Sequence, residues 1–147
     1  MAYLVTQLLL TAAAAGYSVV PVVADLNRTH ATNPLWDPHA RFHVVWQVSS
    51  YVGVALVNLV LVWAGPPGAG KLLLATALAA CMYGGFFVAV LTRRRYGGAL
   101  YNDNGYPPVR WGRGTRGPSL EPNLAVFSGL ALGTLVPAAV LALAGGL

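Results

Sequence analysis

Charge is what this sequence lacks. Its 147 residues include nine Lys or Arg and four Asp or Glu, 9% in all. A water-soluble domain carries about 25% charged residues because its surface must be hydrated. With 56% apolar residues and a mean hydropathy of +0.61, the chain is not an ordinary soluble enzyme or a disordered tail. Nor is it a nucleic-acid module built on a charged face. Cysteine is nearly absent too. Cys81 stands alone, which excludes an internal disulfide framework and a cysteine-rich metal site. Lysine occurs once, at Lys71, against eight arginines, and no Gly-x-Ser-x-Gly sequence is present.

What is present is apolar length. A bilayer core takes about 20 consecutive apolar residues as a helix. Four runs meet that measure, at 2–24, 42–64, 72–91 and 124–147. Their length favours helix over strand. In lipid, only a helix or a closed barrel satisfies its own backbone. The predicted fold is therefore all-α: one integral membrane domain over residues 1–147, a four-helix transmembrane bundle with up-down topology. The first and third loops then share a side, and that side holds Arg28, Arg41, Arg93, Arg94, Arg95, Arg110, Arg113 and Arg116. Lys71 alone lies opposite. Because basic loops stay in the cytoplasm, both termini are expected to be extracytoplasmic, in a multi-pass protein of the cell membrane. The net charge of +5 reads as a topology signal, with no nucleic-acid partner implied.

Helices in lipid associate through close contact and polar pairing. Small residues recur at spacing four in Ala12 and Gly16, Ala80 and Gly84, and Ala125, Gly129 and Gly133. They suit packing within the bundle, and Gly129 and Gly133 also suit a homodimer. Polar residues fall on stripes: Gln7, Thr11, Ser18 and Asp25 on the first helix, and His39, His43, Gln47, Ser50, Tyr51 and Asn58 on the second. Polar groups at membrane depth face a bundle interior or a cavity.

All three histidines and all four carboxylates belong to the arginine-rich side. Asp37-Pro38 is a helix start, with Asp37 as cap and Pro38 in the first turn. His39 and His43 are then i and i+4 neighbours, close enough to share a proton, a metal or an acidic group. They are the expected catalytic pair, with Asp25 and Glu121 as orienting or acid–base partners. His30, Gln47, Asn123, Arg110 and Arg113 are the expected substrate-binding residues. Histidine titrates near neutral pH, which suits general acid–base work. Alternatively, these histidines cap helix ends, or hold a metal or haem; the residues themselves specify no cofactor.

The same stretch carries a resemblance. Asp25, Asn27, Thr29-His30, Asn33-Pro34, Trp36, Pro38-His39-Ala40-Arg41-Phe42-His43 and Gln47 form a spaced motif. In it the chain resembles a family of small four-span membrane proteins from fungi and bacteria. That resemblance implies four spans and singles out this loop; it implies no reaction.

The third loop is rich in Gly, Pro, Arg and aromatics. Arg93 to Arg95 read as anchors at lipid headgroups. Arg110, Arg113 and Arg116 suit a phosphate-bearing lipid if the loop folds over the mouth. Gly65-Pro66-Pro67-Gly68-Ala69-Gly70-Lys71 mimics a P-loop. It lacks the strand before it and the Ser or Thr after it, and reads as a tight turn. Three functions stay open. One is an enzyme performing isomerisation or cyclisation of a lipophilic substrate at the cytoplasmic mouth. The second is a non-enzymatic accessory subunit or small transporter component. The third is a metal or haem carrier.

Overall fold

The computed structural model describes residues 1–101, 108–110 and 119–144. Four long helices cross in alternating directions: α1 (Ala2–Asp25), α2 (Pro38–Trp63), α3 (Ala69–Thr92) and α4 (Pro122–Leu143). Each is long and apolar enough to span a bilayer. Leu4, Leu8, Val19, Val23, Leu56, Val60, Val88, Leu132 and Val140 point outward. In water that outer face would be an aggregation surface; in a membrane it is the lipid face. Between α3 and α4, a 3-10 turn (Arg93–Arg95) is followed by a short ladder. In it, β1 (Val109–Arg110) pairs antiparallel with β2 (Ser119–Leu120).

Hydropathy places three helix starts too late. Helix α2 begins at Pro38, where the Asp37 carboxylate accepts the His39 backbone N–H at 2.8 Å. Helix α4 begins at Pro122, just after Glu121. Caps and proline set these ends, and neither registers as hydrophobicity. Lys71, expected in the connecting turn, lies in the first turn of α3. Its ammonium group donates to the carbonyls of Ala64 and Pro66, closing the end of α2. The lysine of the P-loop look-alike is thus occupied by backbone. At its far end α4 stops at Leu143, short of the expected Leu147; residues 145–147 lie outside the described region.

Helix α1 is the most enclosed of the four. One cluster around it joins Ala13, Ala14, Tyr17, Ala55, Ala79, Tyr83 and Ala131; a second, toward the α2–α3 turn, joins Leu10, Val62, Leu72, Ala75 and Ala138. The alanines let backbones approach, and Tyr17 and Tyr83 fill the space edge-to-face at 6.0 Å. Gly16 is the tightest approach between helices. A Cβ there would lie 2.5 Å from the Tyr83 hydroxyl and 2.7 Å from Leu130. Gly129 and Gly133 differ: both are exposed, with open space around an added Cβ. Their ladder therefore faces away from the bundle.

Asn58 is fully buried and donates its amide to the Tyr17 hydroxyl at 3.2 Å. Its Oδ1 has no hydrogen-bond partner among the described residues. Asn58→Leu removes the orphaned oxygen but also takes away the described partner of the Tyr17 hydroxyl. The two effects offset, so the unfolding free energy in detergent micelles should change by no more than about 1 kcal/mol. A loss of several kcal/mol would mean that Asn58 has a further partner.

Candidate functional site: a cavity under the first loop

The end of the bundle that holds the first and third loops opens into a cavity of about 530 Å³. That is ample for a small organic molecule. Its polar wall consists of Asp25, His30, Gln47, Tyr51 and Asn123, with the Trp36 ring beside them. Val20, Pro21, Val44, Met82, Phe86 and Phe127 make it mostly apolar, and Tyr17 lies at its base. Tyr17 precedes Asp25 by eight residues, which puts the base about 12 Å along the helix axis from that carboxylate. All four helices contribute.

The spaced motif of the first loop builds the cavity's rim. After α1 the Asn27 amide donates back to the carbonyls of Val23 and Ala24, at 2.7 and 3.0 Å. Its Oδ1 accepts the Thr29 N–H at 2.7 Å, an Asx turn. Asn33 is buried; it donates to the Thr29 carbonyl and accepts from the Leu35 N–H. These bonds replace the helix ladder with side chains and fix the loop without regular structure. They hold His30 over Asp25, with Nδ1 3.4 Å from Oδ1, and seat the His30 ring edge-on against Trp36 at 4.9 Å.

The surroundings of Nδ1 select a tautomer. Thr29 Oγ1 lies 2.7 Å from His30 Nδ1, and also within hydrogen-bond reach of Ala24 O and Asn27 Oδ1. The hydroxyl has one hydrogen to give. With that hydrogen given to Asn27 Oδ1 or the Ala24 carbonyl, which can only accept, Thr29 Oγ1 keeps its lone pairs for the ring. Thr29 Oγ1 and the Asp25 carboxylate then both present lone pairs to Nδ1. The Asp25 carboxylate at 3.4 Å favours the tautomer with the proton on Nδ1, which leaves Nε2 as the basic nitrogen. A carboxylate that orients imidazole in this way also stabilises the imidazolium once Nε2 takes a proton. Both side chains are largely withdrawn from solvent, at 25% exposure for His30 and 31% for Asp25.

Other expected site residues fall elsewhere. His39 and His43 do pair, with Nε2 atoms 3.0 Å apart, but both are exposed, among Phe42 and Trp46. Helix geometry explains this. Helix α2 meets the cavity through Val44, Tyr51 and Gln47, which at 100° per residue span about 60°, and His43 and His39 lie about 40° and 80° beyond the Gln47 edge of that sector. The structure thus brings Asp25, His30, Gln47 and Asn123 together and leaves His39 and His43 outside. Glu121 sits at the N-cap position of α4, with no side-chain capping bond, and does not line the cavity; its Oε2 is buried and unpartnered among the described residues. Arg110 is an exposed ladder residue away from the cavity. Arg113 and Arg116 lie outside the described residues.

The sequence pattern names Gln47 and Tyr51 but does not mark Tyr96 as a wall residue. Gln47 donates to the Tyr51 hydroxyl, extending the polar wall down α2. Tyr96 follows the 3-10 turn. Gly97, with φ of 70°, reverses the chain there, and Gly98 N–H closes on the Arg93 carbonyl at 2.7 Å. A positive φ is a glycine conformation. The Tyr96 phenol folds back to donate to Ala89 O at 2.9 Å and so joins the wall.

The family of unknown function DUF6640 matches residues 9–106. The chain belongs to that family. The match takes in α2, α3, most of α1 and the whole first loop, so every wall residue named above except Asn123 and Phe127 falls within the DUF6640 region. No curated protein and no solved structure matches the chain.

Proposed function

We propose that this DUF6640 protein is a small membrane enzyme that moves a proton within a lipophilic substrate. The observation that carries the reading is the Asp25–His30 pair in the wall of a mostly apolar cavity. His30 Nε2 takes a proton from one position of the substrate, Asp25 stabilises the imidazolium, and the proton returns at another position. Isomerisation needs nothing more: no atom is gained, no electron is lost, and the apolar wall keeps water from competing. A cyclisation begun and ended by proton transfer fits the same wall. The arginine bias of the loops at this end supports a cytoplasmic orientation for the mouth, in the cell membrane.

The test works on a substrate of unknown structure. Protein purified with its native lipids is incubated in deuterated water, and the organic extract is read by mass spectrometry. Expected is a lipophilic small molecule that copurifies with the protein and gains deuterium at carbon at a catalysed rate. A second reading, a non-enzymatic accessory subunit, draws on the outward-facing Gly129 and Gly133, which leave α4 open to close approach by another helix. A stoichiometric partner protein in that preparation, with no catalysed exchange, would replace the first reading by the second.

A further inference from the structure

The cavity has an annex. A chamber of about 190 Å³ is lined by Phe86, Ala89, Tyr96, Ala99 and Asn123, all shared with the larger cavity, and by Arg93. The two spaces therefore adjoin. Arg93 is the one charged residue among those lining the annex, and it does not line the main cavity. Its neighbours Arg94 and Arg95 are exposed, so the three-arginine run splits: two face outward as the headgroup reading expects, and one turns in. Arg93 Nη1 donates to the Val90 carbonyl at 2.6 Å, which fixes the guanidinium plane against the end of α3. Among the described residues the rest of its fork of N–H donors has no partner, in a geometry suited to a carboxylate or phosphate. Asn123 gives one amide hydrogen to Leu100 O and has a second to give.

We infer that the ligand of this site is an anionic amphiphile: its phosphate or carboxylate head sits at Arg93 and its apolar body fills the larger cavity. The inference rests on the proposed function and names its substrate class. It follows from the separation of charge. The larger cavity presents the Asp25 carboxylate, which repels an anion, and apolar side chains, which take a hydrocarbon body. The annex presents a fixed cation. An amphiphile bound this way has one orientation, with its uncharged part brought to His30.

The full-length protein in phosphatidylcholine nanodiscs is titrated with dodecyl phosphate, dodecanoate, dodecanol and inorganic phosphate. Binding is followed by tryptophan fluorescence, to which Trp36 in the cavity wall responds. Dodecyl phosphate or dodecanoate should bind about tenfold or more tightly than dodecanol, and much more tightly than inorganic phosphate. Arg93→Gln should abolish the preference for the anion and leave dodecanol binding in place. Arg93→Lys should keep part of the preference, and Arg94→Gln all of it. The retained dodecanol binding shows that the variant is folded. Equal binding of dodecyl phosphate and dodecanol by the wild type, or an anion preference that survives Arg93→Gln, overturns the inference alone. Inorganic phosphate binding as tightly as dodecyl phosphate makes the annex a free-anion site and also overturns it. Failure of every amphiphile to bind overturns the proposed function as well.

Discussion

Replacing His30 by Gln should lower catalysed deuterium exchange into the copurifying ligand by about 10²–10⁴-fold, the range that a general acid–base contributes. Gln preserves polarity and approximate volume, so the Thr29 and Trp36 contacts lose little and the protein should purify normally. Only the basic nitrogen is gone. His39→Gln and His43→Gln should leave the rate within about twofold, because both rings lie outside the cavity. This contrast separates the histidine in the cavity wall from the pair that the sequence alone makes the expected catalytic residues. If His39→Gln or His43→Gln abolished exchange while His30→Gln did not, the chemistry would belong to the outer face of α2. The Asp25 assignment would then fall with it.

The second large effect concerns the seam beneath the cavity. Gly16→Val should destabilise the protein by about 3 kcal/mol, at the upper end of what overpacking costs. The Cβ alone would come within 2.5 Å of the Tyr83 hydroxyl, which donates to the Ala13 carbonyl at 3.0 Å. The ring therefore has to give up that bond or push Tyr17, its edge-to-face neighbour at the base of the cavity. Gly129→Ala and Gly133→Ala should do the reverse. Both glycines have open space, Gly129 in α-helix and Gly133 in the π-helical turn Ala131–Leu135, and Ala gains up to about 1 kcal/mol over Gly in an α-helix interior. Unfolding in mixed detergent micelles, run on the three variants side by side, reads the difference. Equal effects at Gly16 and Gly129 would contradict the packing of α1 against α3 and α4.

The fold is legible in the sequence because its cause is summed over long windows. Four apolar runs state their own number, and alternating arginine loops state how they connect. The site is legible only in part, and the reason is rotational. A stripe drawn on an isolated α2 places His43 with Gln47 and Tyr51. The side that meets the cavity takes in Val44 beside Gln47 and Tyr51 and stops short of His43. Asp25 and His30 both stand out as candidates by residue type and position. Their pairing does not, because it depends on the Asn27, Thr29 and Asn33 side chains folding a loop that has no periodicity to read. Arg93 illustrates the same limit. In sequence it is one of three equivalent arginines, and only the 3-10 turn gives it a different direction from Arg94 and Arg95.

The hydrogen bonding of α1 bears on how the protein is made. This helix, the most enclosed in the finished bundle, precedes its three partners in the chain, so it emerges from the ribosome before any of them exists to surround it. A polar side chain without a partner would oppose its entry into lipid. Thr6, Thr11 and Ser18 each donate to the carbonyl four residues back, at 3.0, 2.8 and 2.7 Å. These hydroxyls are satisfied within the helix itself. Gln7, by contrast, donates to the Val62 carbonyl of α2. α1 is thus largely self-sufficient during insertion, and Gln7 holds one bond in reserve that forms only when the second helix arrives.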